Sequence, residues 1–140
     1  MRAFVLIAAL AAACGIPDES PVMQPGQDCF QCHGRNAQAW SVAGTIYPAA
    51  DSAASAGFGG AKVFLTDAQG RAFTLTSNSA GNFYTAEPLK FPLHVEADAN
   101  GVRMAMSAPV TSGSCNTCHA QPPTGDALGR VFVPTGTSLH

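Results

Sequence analysis

The chain has 140 residues, a formal net charge of −2 and a hydrophobic fraction of 46%, which suits one domain with a real core. Seven Lys and Arg stand against nine Asp and Glu with no basic run, which argues against a nucleic-acid partner. No stretch is long and apolar enough to remain in a bilayer as a spanning helix.

The first residues read "MRAFVLIAALAAACGIPDES". Arg2 supplies a positive start, and Ala3 to Ala13 is an apolar run that ends in small residues. Residues 1–13 are therefore expected to be an export signal rather than part of the fold. Cys14 follows directly. "LAAAC" resembles the lipobox of bacterial lipoproteins, although Ala11 stands where Leu, Val or Ile is more usual and Leu10 lies one place further back. The resemblance implies that Cys14 is acylated and anchors an exported protein to a membrane surface, periplasmic or outer, without spanning it. The alternative is ordinary signal cleavage, which leaves Cys14 as a free thiol in an oxidising compartment.

Residues 14–40 carry "PVMQPGQDCFQCH", and "CNTCH" recurs at 115–119. Four of the five cysteines belong to these two CxxCH motifs. Two CxxC pairs satisfy the ligand count of a zinc site, and a single CxxC suits a redox dithiol. Neither requires a histidine at the next position. Covalent c-type haem does: two thiols add to the vinyl groups and the adjacent histidine ligates the iron. The motifs thus predict two c-type haems, one on Cys29 and Cys32 with His33 as proximal ligand, the other on Cys115 and Cys118 with His119. Candidate distal ligands are Met23, in a Pro- and Gly-broken approach, and Met106, with Met104 and His94 as alternatives. Methionine otherwise fills cores, and His140 at the chain end is expected to be solvated. Trp40 is placed either to stack on the first haem or to fill the core at a strand start.

Residues 41–110 show short alternating apolar pieces between turn signals, which predicts an all-β unit. The expected strands lie in 41–48, 61–70, 71–77, 83–87, 91–99 and 102–108. Leu93, Val95 and Ala97 should face inward and His94 and Glu96 outward. Turns every ten or so residues favour a small Greek-key-type β-sandwich, with the haems held in flanking loops. If its first and last strands were adjacent, those loops would meet. Residues 111–140 hold the second motif and "GRVFVP", an extended wrap in which Val131 to Val133 add an edge strand that Pro134 stops.

"GTIY…GAKVFLTDAQGR…LTSNSAGNFY" resembles the carboxypeptidase regulatory-like and prealbumin-like β-sandwich modules, with Gly60, Val63, Asp67, Gly70, Thr76, Gly81 and Phe83 in the patterned places. The whole layout is similar to small exported dihaem proteins in which such a sandwich is flanked by M-x-P-G-x-x-C-x-x-C-H and C-N-x-C-H and followed by G-R-[IV]-x-x-P. The resemblance implies architecture more than mechanism. The expected function is single-electron transfer at a bacterial envelope surface, with other redox proteins as partners and no catalytic residues. The rivals are a haem enzyme or gas sensor with one open coordination position, for which His94 and Glu96 are the nearest acid–base pair, a docking module, and a zinc module if haem is absent.

Overall fold

The computed structural model describes residues 23–34 and 39–133. The readings on residues 1–13, Cys14, Pro134 and His140 lie outside them. Seven strands form: β1 (Val42–Tyr47), β2 (Lys62–Thr66), β3 (Ala72–Thr76), β4 (Asn82–Thr85), β5 (His94–Ala99), β6 (Val102–Ala105) and β7 (Val131–Phe132). They make a three-stranded sheet in the order β4-β1-β7 and a four-stranded sheet in the order β3-β2-β5-β6. The chain returns from β4 in the first sheet to lay β5 beside β2 in the second.

The alternation in the sequence determines which face is buried. Val63 and Leu65 of β2 are buried while Lys62 and Thr66 are exposed. Leu93 and Ala97 are buried and His94 is exposed. Val42, Ile46 and Phe83 of the first sheet meet Val63, Leu65, Leu93 and Ala97 of the second in one core, as in a β-sandwich. Each fully buried aliphatic side chain contributes on the order of 1.5–3 kcal/mol. Between β5 and β6 the turn falls on Asn100 and Gly101, with φ of 53° and 79°. Two successive left-handed residues suit a tight two-residue hairpin.

β1 departs from the alternating pattern: all six of its residues are buried. Its outward positions, Ala43, Thr45 and Tyr47, have no polar face to show because other chain segments cover them. β1 is not adjacent to β6, which sits at the far edge of the other sheet, so the two motifs do not meet through neighbouring first and last strands. Instead Ser114 runs parallel to Ala43 in an isolated bridge, and β7 continues along the same side of β1, with Ile46 opposite Val131. The C-terminal segment is thus built into the sheet.

Asp67, between β2 and β3, is a buried carboxylate whose Oδ1 accepts from the N–H groups of Gln69 and Arg71 at 2.9 and 3.0 Å. Its Oδ2 accepts from Arg71 Nε and Nη2 at 2.9 and 2.7 Å and from Lys90 N. Burial pushes its pKa up, but the hydrogen bonds from Arg71, Gln69 and Lys90 together outweigh that and hold it below the ordinary carboxylate value. A lowered folded-state pKa adds stability that is present above the unfolded value and is lost as pH falls through the folded one. The wild type is therefore expected to lose stability below about pH 4, and Asp67→Asn should lose this part of the acid dependence. Urea titrations at pH 3 and pH 6 check it; equal pH sensitivity in both proteins would contradict it.

Candidate functional site

Both CxxCH motifs open on a short helical turn. Cys29–Gln31 forms a 3₁₀ turn capped by Asp28, whose side chain accepts from Phe30 N. Cys115–Cys118 forms a single α-turn with Ser114 at its N-cap. The backbone N–H groups of His33 and His119 bond to the carbonyls of Cys29 and Cys115, at 2.9 and 3.0 Å. In each motif the histidine thus lies one turn beyond the first cysteine.

The two turns are brought together on β1 by polar side chains. The Ser114 hydroxyl accepts from Thr117 Oγ1 of its own turn at 2.7 Å and donates across to Asp28 Oδ1 at 2.5 Å. Asn116, the first residue inside the second motif and 3% exposed, does more. Its Oδ1 accepts from Thr45 N at 3.1 Å. Its Nδ2 donates to Gln27 O at 2.8 Å and to Thr45 Oγ1 at 3.1 Å, with Cys29 Sγ at 3.9 Å. Thr45 Oγ1 also accepts from Gly26 N at 2.9 Å and donates to Asn82 Oδ1 at 2.8 Å. Asn82 Nδ2 then donates to Met23 O at 2.7 Å. Along β1, Ala43 N bonds to Gly113 O, Thr45 N to the Asn116 side chain, and Ile46 lies opposite Val131. The amide of Asn116 therefore fills the gap between two stretches of backbone pairing. A buried network of this kind is favourable only when every member is satisfied, and among the described residues no fully buried side-chain N or O lacks a partner.

Within C-N-x-C-H the spacing alone gives the asparagine no role. The signal was present, since a carboxamide both donates and accepts, but its partners lie 71 and 89 residues away. Gly44 of β1 is a point of close approach. A Cβ there would come within 2.7 Å of Phe83 and 2.8 Å of Cys115 Cβ, so only glycine lets the second motif lie this close to β1.

His119 Nδ1 lies 2.9 Å from Gly129 O. A carbonyl can only accept, so Nδ1 carries the proton and Nε2 keeps its lone pair. His33 is held differently. Its ring stacks on Trp40 with centroids 3.4 Å apart and planes 7° apart, and Trp40 stacks on Tyr84 at 4.1 Å and 9°. Trp40 is half-buried rather than a core residue, and it packs between the rings of His33 and Tyr84.

The sulfurs differ as well. Cys29, Cys115 and Cys118 are free thiols, whereas Cys32 is disulfide-bonded. Burial, reinforced by the Asp28 charge, pushes Cys29 up to about 11. Burial, reinforced by neighbouring Cys29, pushes Cys115 up to about 12. Cys118 is exposed. In haem-free protein at pH 8, on the order of one Cys115 in ten thousand is thiolate, the reactive form. Iodoacetamide should therefore modify Cys118 well before Cys29 and Cys115. Peptide mapping at timed intervals checks this, and equal labelling of all three would contradict it.

The structure brings Met23 to the motif side of the molecule through its carbonyl. Met104 and Met106 are 37% and 43% exposed at β6, the outer edge of the four-stranded sheet, and His94 is exposed on β5. Both motif turns pack on β1 of the other sheet. Glu96 is paired with Arg103 at 3.1 Å, so it does not stand as a free partner for His94. Among the described residues no three or more His, Cys, Asp or Glu side chains group as a metal site, so the four motif cysteines do not assemble a thiolate cage. No helix among those residues is long and apolar enough to cross a membrane.

No protein family, curated protein or solved structure matches the chain. The β-sandwich is the class that the fold defines; its function is argued from the site.

Proposed function

We propose that the chain is a dihaem c-type cytochrome that moves single electrons at a bacterial envelope surface. The observation that carries the reading is the pairing of two CxxCH turns on one strand, with His119 fixed by the Gly129 carbonyl as the tautomer that ligates through Nε2. A metal-binding histidine ordinarily has its other ring nitrogen held in this way. Cys115, Cys118 and His119 supply the two thiols and the imidazole that a covalent haem requires. Cys29 and His33 fit one too, and attachment there requires the Cys32 disulfide to be open. When bound, haem supplies a one-electron iron couple, and the chain sets its potential through ligands, burial and nearby charge.

The chain's own residues then have distinct tasks. His33 and His119 are the proximal ligands. Trp40 and Tyr84 hold the His33 ring in one plane, and Gly129 does the same for His119. Asn116 keeps the two motif turns at a fixed separation. Met23 is the distal candidate on the motif side. Acylation of Cys14 would place the carrier at a membrane surface, and its partners would be other redox proteins met through small transient interfaces.

The test is the haem content and optical spectrum of protein produced in a host that matures c-type cytochromes. Two covalent haems per chain, low-spin in both redox states and inert to carbon monoxide, are expected. A haem that binds carbon monoxide would favour the enzyme or sensor reading. A haem-free chain that retains the Cys32 disulfide would overturn the proposal.

A further inference from the structure

A polar cleft of about 350 Å³ opens between the two motif turns, with Asp28, Gln31, Asn116, Thr117, Gln121 and Arg130 in its lining. Arg130 is unusual among these. It is 8% exposed, and arginine does not shed its charge on burial. Its Nε donates to Ser52 O at 2.8 Å, its Nη1 to Tyr47 Oη at 3.3 Å, and its guanidinium lies 4.5 Å above the Tyr47 ring. All of these partners are neutral. The ion pairs among the described residues involve Arg71 and Arg103 and leave Arg130 without a carboxylate. Asp28 shares the cleft but is not within ion-pair distance, and its Oδ1 is taken by Phe30 N and the Ser114 hydroxyl. Nη2 makes no hydrogen bond and is not fully buried, and Arg130 is part of the cleft lining.

A buried cation with only neutral partners is poorly compensated, and a cation–π contact offsets part of that cost. The matching ligand for a planar guanidinium with a free edge is a carboxylate. Position adds to this: Arg130 directly follows Gly129, which holds His119, and Thr117 and Gln121 flank the Cys118–His119 pair. We infer that the cleft seats a carboxylate on Arg130. On the haem reading above, that carboxylate is a propionate of a haem carried by the motifs. The same chemistry would also admit a small free carboxylate.

Wild type, R130K and R130Q, each with haem counted per chain, distinguish the two sources. Loss of a positive charge beside a haem favours the ferric state, so in loaded R130Q one of the two midpoint potentials should move to more negative values, while R130K stays near wild type. The propionate bending band in the resonance Raman spectrum should also move in R130K, a variant that keeps the charge and hence the fold. Unchanged potentials in R130Q together with an unmoved band in R130K would overturn the propionate assignment. If no haem is incorporated, the haem reading falls and the cleft is judged separately. Acetate, compared with chloride at equal ionic strength, should then raise the melting temperature of the haem-free wild type but not of R130Q. Equal response of the two proteins would overturn the carboxylate site itself.

Discussion

Asn116→Leu is expected to lower the melting temperature by about 10 °C. Leucine keeps the γ-branched shape and heavy-atom count of asparagine but replaces a side chain that accepts from Thr45 N and donates to Gln27 O and Thr45 Oγ1. Thr45 is 0% exposed, so its N–H would be left without a partner and without water. A typical intramolecular hydrogen bond contributes about 1 kcal/mol, and a buried donor left unsatisfied costs about 1–3 kcal/mol. The sum is about 3 kcal/mol, which for a domain of this size corresponds to about 10 °C. Asn116→Asp is the instructive companion. It retains the acceptor for Thr45 N but places a carboxylate against Gln27 O and beside the Asp28 charge, so it too should destabilise. Calorimetry with haem content matched by mass checks both. A shift below about 2 °C in Asn116→Leu would mean that the amide is not what holds the second motif to β1.

Simultaneous Cys115→Ala and Cys118→Ala should reduce haem from two per chain to one and leave the first motif loaded. The prediction depends on a division of labour visible in the geometry. The bridging contacts between the turns are made by Ser114 and Asn116 rather than by the motif thiols, so the alanine variant keeps the network that positions Cys29. Intact-mass measurement reads the result directly. Two haems in the variant would show that the second CxxCH is not an attachment site, and none would show that loading of the first motif depends on the second. Cys32→Ala is the complementary case. It abolishes the disulfide, and on the proposed function it should leave a haem at the first motif with one thioether bond in place of two.

The sandwich was legible because a half-buried strand writes its period into the sequence. "KVFLT" and "HVEADA" alternate, and their inward residues could be named. β1 was legible as a strand but not as one covered on both faces. Its outward Ala43, Thr45 and Tyr47 are small or amphipathic, and nothing local to "VAGTIY" says that residues 23–34 and 113–133 lie against it. The two CxxCH motifs were legible as a repeated spacing because each lies within five consecutive positions; that spacing is the one covalent haem requires. The distal candidates were less so. Met104 and Met106 alternate with Arg103 and Ala105 as a strand face does, but which sheet carries that face, and at which edge, is set by β5–β6 pairing. The links through Asn116, Ser114 and Gly129 join residues distant in sequence, and no periodicity encodes them.

The dependence of β1 on an asparagine side chain also sets an order of events. β1 pairs with β4 about 40 residues downstream, with Ser114 some 70 residues on, and with β7 later still. Contacts of such separation form slowly, and the last of them cannot form until nearly the whole chain is available. Until then Cys29 and Cys115 are not packed on β1 or beside one another, and their thiols ionise as readily as any exposed cysteine. The interval before closure of the β1 edge is therefore when these sulfurs are most open to covalent chemistry. A chain that closed first would hold Cys29 and Cys115 as half-buried thiols packed on β1, raised in pKa and slow to react.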